Sequence, residues 1–317
     1  MDFWSQVLFK LRKGNNIYLL TVVENYGSSP GRKGFKMFVS EDGDIQGSIG
    51  GGVMEYNLVE EAKEMLKKNK KIIFSKRQIH RGKSEFGSGM SCSGEQTVAF
   101  HPLGKENIPE VQYFFDCSNN NTKAIIKLTS NTISFELGEM KSRFKYEKYK
   151  TGNWLYKEQL GCKETIYIVG GGHVGLSVSQ LFSTLGFHIV VFDNRNNLNT
   201  LVNNRFAHDK HVIDYRKICD FITQGENSFI VIMTNKSDED RLVLSNLLRN
   251  NYKFIGVLGS KAKIKTMFKL LKAQDGFTKD ELNVIKAPIG IPISSQTPEE
   301  IAVSIAAQII KIKNNSI

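Results

Sequence analysis

The feature that most constrains the fold is a glycine-rich turn between an apolar segment and an amphipathic one. Thr165 to Val169 carries no charge and has the length of a buried strand. Gly170 to Gly175 follows and reads Gly-Gly-Gly-His-Val-Gly. The apolar residues after it recur at helical spacing, at Val174, Val178, Leu181 and Leu185. The segment therefore predicts a strand that passes through a tight glycine turn directly into a helix.

The rest of the second half repeats this alternation. Further strands are predicted at His188–Phe192, Phe229–Met233 and Phe254–Leu258, and helices at Glu239–Leu248 and Lys261–Leu271. A final helix is predicted to begin with Thr297 as N-cap, Pro298 at its first position and Glu300 completing a capping box. Repeated strand–helix units with short apolar strands predict an α/β domain over residues 161–317, with a Rossmann-like, doubly wound parallel sheet.

The first half predicts a separate, mixed α/β domain over residues 1–160. An amphipathic helix is expected near the start, at Phe3 to Leu11, and another after Gly50–Gly52. The stretch from Gly138 to Lys163 is weakly patterned, and the domain boundary is placed there, near residue 160. The strands predicted in this half are Ile17–Val23, Phe35–Val39, Ile45–Ile49, Lys71–Phe74, Gln96–Phe100, Lys123–Leu128 and Thr132–Leu137.

Charge and cysteine content argue against several classes of function. The formal net charge is +11, but the basic residues are scattered and no basic run is interleaved with aromatics, so a nucleic-acid partner is not expected. No apolar run approaches the length that spans a bilayer, so no membrane association is expected and a cytoplasmic location is predicted. The four cysteines form no CxxC pair, which disfavours a structural zinc site or a disulfide framework.

The glycine turn is also the best candidate for a ligand site. Gly170, Gly172 and Gly175 satisfy the G-x-G-x-x-G pattern, in which backbone amides and the helix dipole favour an anion. Asp193 ends the next strand, 23 positions after Gly170, where an acid can accept hydrogen bonds from a ribose hydroxyl. The alternative is that the glycines only permit a tight strand–helix connection.

Three further side chains belong to this candidate site. His173 stands where a side chain could face the ligand, although a solvated loop histidine fits equally well. Arg195 lies two residues after Asp193, so a phosphorylated ribose is also a candidate ligand. Ser260, in the loop Gly259–Lys261, follows a later strand, and the loop Thr234–Asp240 follows another. Both loops could form further walls of the site, although Ser237 and Ser260 could equally be simple helix caps.

Two glycine-rich stretches in the first half carry a second set of candidates. Gly50, Gly51 and Gly52 lead into a helix with Glu55 in its first turn, and their amides could bind an anion. Glu55 is a candidate cofactor-binding residue of the same loop, although a residue that only offsets the helix dipole is the safer interpretation. Cys92 lies beside a Ser-Gly turn and could be a soft ligand or a nucleophile, but by position alone an inert, buried cysteine is the better interpretation.

Taken together and in order, these segments resemble the XdhC/CoxI family of xanthine dehydrogenase and carbon monoxide dehydrogenase accessory proteins. The resemblance is carried by Gly27-Ser28-Ser29-Pro30, Gly47 to Glu55, Met90-Ser91-Cys92-Ser93-Gly94, Gly170 to Gly175, Gly256 to Lys261, Pro288 to Ile291, and Thr297 to Ile305.

The resemblance implies a protein that handles molybdenum cofactor rather than a turnover enzyme. Members of the family bind this cofactor (molybdopterin or its dinucleotide form), support its sulfuration by a cysteine desulfurase, and deliver it to a xanthine dehydrogenase-type apo-enzyme; a homodimer is also implied. The resemblance favours Cys92 as a cofactor-binding residue and as a molybdenum contact.

The sequence also departs from the family pattern. Val53 replaces a cysteine, Asn235 and Ser237 replace two histidines, and Ser93 replaces a glycine. Two other functions stay open. One is an NAD(P)-dependent oxidoreductase, which Gly170 to Gly175 and Asp193 support but for which no convincing acid–base pair is found, and the other is a nucleotide-sensing module.

Overall fold

The computed structural model describes residues 3–80, 94–120, 122–161 and 163–314. The chain forms two compact units, Met1–Cys162 and Lys163–Ile317. Cys92, Ser93 and Cys162 lie outside the described residues.

The first unit begins with an antiparallel sheet and two helices. In the described part, the strand order in this sheet is β3-β2-β1-β5-β4. The elements are α1 (Phe3–Arg12), β1 (Ile17–Gly27), β2 (Lys36–Ser40), β3 (Ile45–Gly47), α2 (Gly52–Lys67), β4 (Phe74–His80) and β5 (Gly94–Leu103). The predicted N-terminal helix is confirmed, since Trp4, Val7, Leu8 and Leu11 are buried along one face of α1.

A second antiparallel sheet completes this unit, with the described order β7-β6-β9-β8. Its elements are α3 (Ile108–Asn119), β6 (Ala124–Thr129), β7 (Ile133–Leu137), β8 (Phe144–Lys148) and β9 (Trp154–Leu160). Helix α2 packs Leu58 and Ala62 on one face of the first sheet. The other face shares a core with α1, α3 and the second sheet, in which Trp4, Phe114 and Tyr156 are buried.

The second unit contains a parallel sheet in the order β12-β11-β10-β13-β14. Its elements are β10 (Thr165–Val169), α4 (His173–Thr184), β11 (His188–Asp193), α5 (Asn199–Val202), β12 (Asp209–Val212), β13 (Gly225–Ile232), α6 (Ser237–Leu247), β14 (Tyr252–Val257), α7 (Lys261–Ala273), α8 (Lys279–Asn283) and α9 (Pro298–Asn314). Apolar residues of α4 and α9 cover one face, and those of α6 and α7 the other. The predicted α/β fold, with a Rossmann-like doubly wound sheet in the second unit and a mixed α/β first unit, is confirmed.

Several predictions about elements need correction. The strand predicted at Lys71–Phe74 is wrong, because β4 starts at Phe74 and continues to His80 through polar residues that pair with β5. The predicted weakly patterned stretch after Gly138 contains β8 and β9, whose polar side chains hid the alternation. Helix α3 and the exposed edge strand β12 were not predicted. The capping box of α9 is present, with Thr297 Oγ1 3.2 Å from the Glu300 amide.

No helix of the described residues is long and apolar enough to cross a membrane.

Candidate functional site

The glycine turn lies where the strand order of the parallel sheet reverses. β10 pairs with β11 on one side and with β13 on the other, and the chain leaves β10 through Gly170 to enter α4 at His173. Ligands of open α/β sheets bind in the crevice outside the strand ends at such a point. The turn requires glycine: Gly170 has a φ of +118°, and a Cβ there would lie 2.3 Å from the Met233 carbonyl oxygen.

The turn leaves backbone donors open at the start of α4. The Gly170 amide donates to the Phe192 carbonyl at 2.8 Å, and the Gly171 amide donates to Asp193 Oδ2 at 2.8 Å. In the part of the chain that the structure describes, the amides of Gly172, His173 and Val174 have no hydrogen-bond partner. Unpartnered amides of this kind donate hydrogen bonds to a phosphate that binds at a helix N-terminus.

Close packing holds the helix against the strand. A Cβ on Gly175 would lie 2.2 Å from the Gly170 carbonyl oxygen, so this position accepts only glycine. Gly172, by contrast, has nothing within 4 Å of a built Cβ, and its φ of −70° suits any residue. His173 is exposed at the first position of the helix. The predicted residues Gly170, Gly172, His173 and Gly175 therefore lie together around one open turn.

Asp193 contacts the turn but not solvent. The residue is 1% exposed. Its Oδ2 accepts from the Gly171 amide and from Arg195 Nη2, both at 2.8 Å, and its Oδ1 accepts from Arg195 Nε at 2.8 Å and the Arg195 amide at 3.0 Å. Burial by itself would raise the pKa of Asp193, but the Arg195 side chain and the two amides outweigh it and the pKa is lowered. The acid predicted to bind a ribose is thus an anchor of the turn in this structure.

A second buried acid fixes the neighbouring loops. Asp240 is fully buried, and its Oδ1 accepts from the Thr234 amide at 2.9 Å and the Thr234 hydroxyl at 2.7 Å. Its Oδ2 accepts from Lys263 Nζ at 2.5 Å. The loop after β13 and the first turn of α7 are therefore joined through one carboxylate. The Thr234–Asp240 loop was predicted at this edge of the sheet, but Lys263 and the contacts through Asp240 were not, since only the tertiary fold shows that Thr234 and Lys263 share this carboxylate.

A third acid connects the loops after β11 and β13. Glu239 Oε1 accepts from Asn194 Nδ2 at 2.9 Å and from Lys236 Nζ at 3.3 Å. Its Oε2 is buried and has no hydrogen-bond partner within the described ranges. Asn194 and its contact with Glu239 were missed, because no spacing in the sequence relates the two residues. The rim of the site is thus built from three acids, each with a basic or amide neighbour.

The two serines differ in role. Ser260 is the N-cap of α7, and its hydroxyl accepts from the Lys263 amide at 3.2 Å, so the capping interpretation is supported by geometry. Ser237 is the first residue of α6 and the N-cap is Lys236, so of the two interpretations of Ser237 the helix cap is wrong.

In the first unit, Glu55 fills the second glycine-rich loop. Its Oε2 accepts from the Ile49 amide at 2.8 Å, the Gly51 amide at 2.9 Å and the Ser48 hydroxyl at 2.8 Å. Gly50, Gly51 and Gly52 all have positive φ, of 131°, 75° and 69°, which only glycine adopts without strain. The loop thus wraps a carboxylate of the chain itself, in the place where an external anion was expected.

Cys92 lies outside the described residues, so its predicted contact with a cofactor or with molybdenum stays a prediction. Among the described residues, no group of three or more His, Cys, Asp or Glu side chains is arranged to hold a metal ion.

Two family models match the chain: the XdhC Rossmann domain over residues 166–309, and the XdhC and CoxI family over residues 11–75. The uncharacterized protein YqeB of Escherichia coli (strain K12) is 25% identical over 296 residues, which is 93% of this chain. The chain spans 43% of the length of YqeB. A protein of Bacillus subtilis (strain 168), named as a probable xanthine dehydrogenase component, is 21% identical over 93% of this chain and 92% of that protein.

The crystal structure of a xanthine dehydrogenase from Bacillus halodurans is similar to the whole chain. It has a TM-score of 0.75 and 22% identity, and the match covers 98% of this chain and 96% of that one. At 22% identity, this similarity is evidence for the fold alone.

Proposed function

Because the chain belongs to the XdhC and CoxI family, we propose that it is an accessory protein of a xanthine dehydrogenase-type enzyme. In this role it binds molybdenum cofactor, keeps the cofactor during sulfuration by a cysteine desulfurase, and passes it to the apo-enzyme. The observation that carries the proposal is the row of unpartnered amides at Gly172, His173 and Val174, within the described part of the chain.

The phosphate of molybdopterin fits this turn chemically. A phosphate monoester carries between one and two negative charges near neutral pH, and hydrogen bonds to a charged acceptor contribute roughly 1.5–3 kcal/mol each. The open space beside Gly172 leaves room for such a group. When bound, the cofactor supplies a redox-active molybdenum centre for the client enzyme. The amides of Gly172, His173 and Val174 would hold its phosphate.

The other glycine-rich loop fits an anionic ligand less well. The Gly51 amide is already used by Glu55 Oε2 at 2.9 Å, so a phosphate would have to displace this carboxylate. We therefore assign the anion-binding role to Gly170–Gly175, and Gly50, Gly51 and Gly52 to the formation of an internally closed loop.

Holding a cofactor suits this rim better than acid–base turnover. Asp193 is paired with Arg195, and Asp240 is paired with Lys263. A general base needs a carboxylate that is within reach of the substrate and can exchange a proton. Since both carboxylates are buried and ion-paired, they favour a binding role over the alternative of an NAD(P)-dependent oxidoreductase.

The proposal is tested by reconstitution of a client. Apo-xanthine dehydrogenase is incubated with molybdopterin, molybdate and a cysteine desulfurase, with and without this chain, and urate formation is followed. We expect the chain to raise the yield of active enzyme at least several-fold and to elute with molybdopterin on gel filtration. Equal yields with and without the chain, together with nicotinamide oxidation by the chain alone, would overturn the proposal in favour of an oxidoreductase.

A further inference from the structure

We propose that Arg195, clamped on Asp193, makes the glycine-turn site selective for a phosphate monoester and against an unmodified ribose diol. The inference rests on the proposed function in taking this turn as the ligand site. It concerns which chemical group the site recognises, and it assigns that recognition to a specific side chain.

The hydrogen-bonding capacity of the Asp193 carboxylate is fully used within the protein. Its two oxygens accept four N–H groups at 2.8–3.0 Å: the amides of Gly171 and Arg195, and the Nε and Nη2 of the Arg195 guanidinium. A carboxylate offers about four lone-pair sites, so no acceptor capacity is left for a ribose hydroxyl. With the residue only 1% exposed, a ligand also has no direct path to these oxygens.

The site presents the guanidinium of Arg195 to a ligand instead of the Asp193 carboxylate. The Arg195 side chain is 38% exposed, and its Nη1 has no hydrogen-bond partner in the described ranges. One edge of the guanidinium is thus fixed on Asp193 while the other edge is open. A guanidinium held in this way is pre-organised, so less side-chain entropy is lost when it binds a phosphate.

The guanidinium of Arg195 lies close to the glycine turn. Arg195 Nη2 and the Gly171 amide nitrogen both bond the same oxygen, Asp193 Oδ2, at 2.8 Å. The two nitrogens can therefore be no farther apart than the two bonds end to end, 5.6 Å. The open amides begin at the next residue, Gly172, so a phosphate bound to them would lie on the same side of the turn as the arginine.

Other charges at the rim leave this edge available. Glu239 is the other acid whose charge acts on Arg195. Its Oε1 is bonded by Asn194 and Lys236, and its buried Oε2 forms no hydrogen bond with the guanidinium in the described ranges. The hydrogen bond to Asp193, favoured also by the charges of Asp193 and Glu239, raises the pKa of Arg195 despite its partial burial, so the guanidinium keeps its charge. A dianionic monoester gains from this cation and the helix dipole together, whereas a diol would need the acceptor that Arg195 covers.

Two sources can supply such a monoester, the terminal phosphate of molybdopterin or the 2′-phosphate of NADPH. The test therefore uses two matched pairs of probes: molybdopterin against its phosphatase-treated form, and NADPH against NADH. Dissociation constants are measured for the full chain by fluorescence titration. We expect the phosphorylated member of at least one pair to bind at least tenfold tighter, and the identity of that pair to reveal the source.

Two variants complete the design. Arg195→Gln removes the charge at similar size and should remove most of the phosphate preference, whereas Arg195→Lys keeps a cation without the planar fork and should retain part of it. Thermal melting checks that each variant is folded. If Arg195→Gln does not fold, the comparison of the wild type with Arg195→Lys and the two probe pairs still decides the question.

The outcomes separate this inference from the proposed function. Molybdopterin retained equally well with and without its phosphate, with NADH bound as tightly as NADPH, would overturn the inference and the assignment of the phosphate to the glycine turn. Retention of molybdopterin itself would still support the accessory role. A preference for NADPH without any molybdopterin retention would support the inference and count against the accessory role. Binding of none of the four probes would overturn the inference outright.

Discussion

Glu55 places a carboxylate oxygen 2.9 Å from the amide of Gly51, inside the loop that the sequence predicted to bind an anion. The same oxygen also accepts from the Ile49 amide and the Ser48 hydroxyl, so three donors of the loop share one atom of the chain itself. The loop is therefore closed by an internal anion, and its stability depends on this side chain.

The variant Glu55→Gln is expected to destabilise the first unit by about 1–3 kcal/mol, because the neutral side chain loses the charge-assisted part of three hydrogen bonds. Urea unfolding monitored by tryptophan fluorescence measures this change. Glu60→Gln, on the exposed side of the same helix, is the matched control and should change stability by less than about 0.5 kcal/mol. Equal stability of Glu55→Gln and the control would show that Glu55 does not close the loop.

A buried ion pair joins the two sheets of the first unit. Lys36 Nζ lies 2.5 Å from Glu158 Oε2, with side chains 10% and 8% exposed, and the Tyr156 hydroxyl donates to the same carboxylate at 2.9 Å. Lys36→Met leaves Glu158 buried without its cation and should cost about 3–5 kcal/mol. The double variant Lys36→Met with Glu158→Leu should recover much of this loss. A double-mutant cycle that includes the single variant Glu158→Leu measures the coupling energy of the pair. Additive losses in the cycle would contradict a coupled pair.

His101 predicts a specific loss of stability in acid. Burial lowers the pKa of His101 to about 4, although its hydrogen bond to the Thr129 carbonyl partly opposes the shift. Well above pH 6.5 the ring is neutral in both folded and unfolded chains. As the pH falls towards about 4, the unfolded chain takes up the proton first, so up to about 3 kcal/mol of stability is lost.

The variant His101→Leu isolates this effect, because every other titrating group is retained. The difference in unfolding free energy between the wild type and the variant should shift in favour of the variant as the pH falls from about 7 to about 4.5. A difference that stays constant over this range would contradict a buried neutral histidine.

Cys92 is tested by function, since it lies outside the described residues. We expect Cys92→Ala to release molybdopterin at least several-fold faster than the wild type while melting at the same temperature. Cys219→Ala, a change at a cysteine on the surface of the other unit, is the control and should retain the cofactor normally. Unchanged retention in a folded Cys92→Ala protein would remove Cys92 from the site.

Local sequence signals predicted the parts of this fold that local forces determine. The glycine turn at Gly170, the parallel strands around it and the capping box at Thr297 all depend on residues close in the chain. β9 was missed because Glu158 breaks its apolar pattern, and only the pairing with Lys36, 122 residues away, explains a buried acid there.

The same reasoning explains what the sequence revealed about the site. The turn and Asp193 could be located from their spacing, but the partners that occupy Asp193 could not be deduced, since any of several donors could reach it. Glu55 was predicted either to bind the cofactor or to offset a helix dipole. Its three loop donors depend on the path of Ser48–Gly51, which no periodicity encodes. Most helices and strands could be predicted from the sequence, whereas the contacts between side chains and turns could not.

Gly172 offers the most direct test of the central claim, that the open amides at the start of α4 bind the phosphate of the cofactor. Gly172→Asp can place a carboxylate on these amides as a helix cap, and Gly172→Asn places a neutral group of the same shape there; both are sterically allowed, since nothing lies within 4 Å of a Cβ at this position. Molybdopterin affinity is measured for both variants. We predict at least tenfold weaker binding for Gly172→Asp than for Gly172→Asn, and equal binding by the two would contradict the claim.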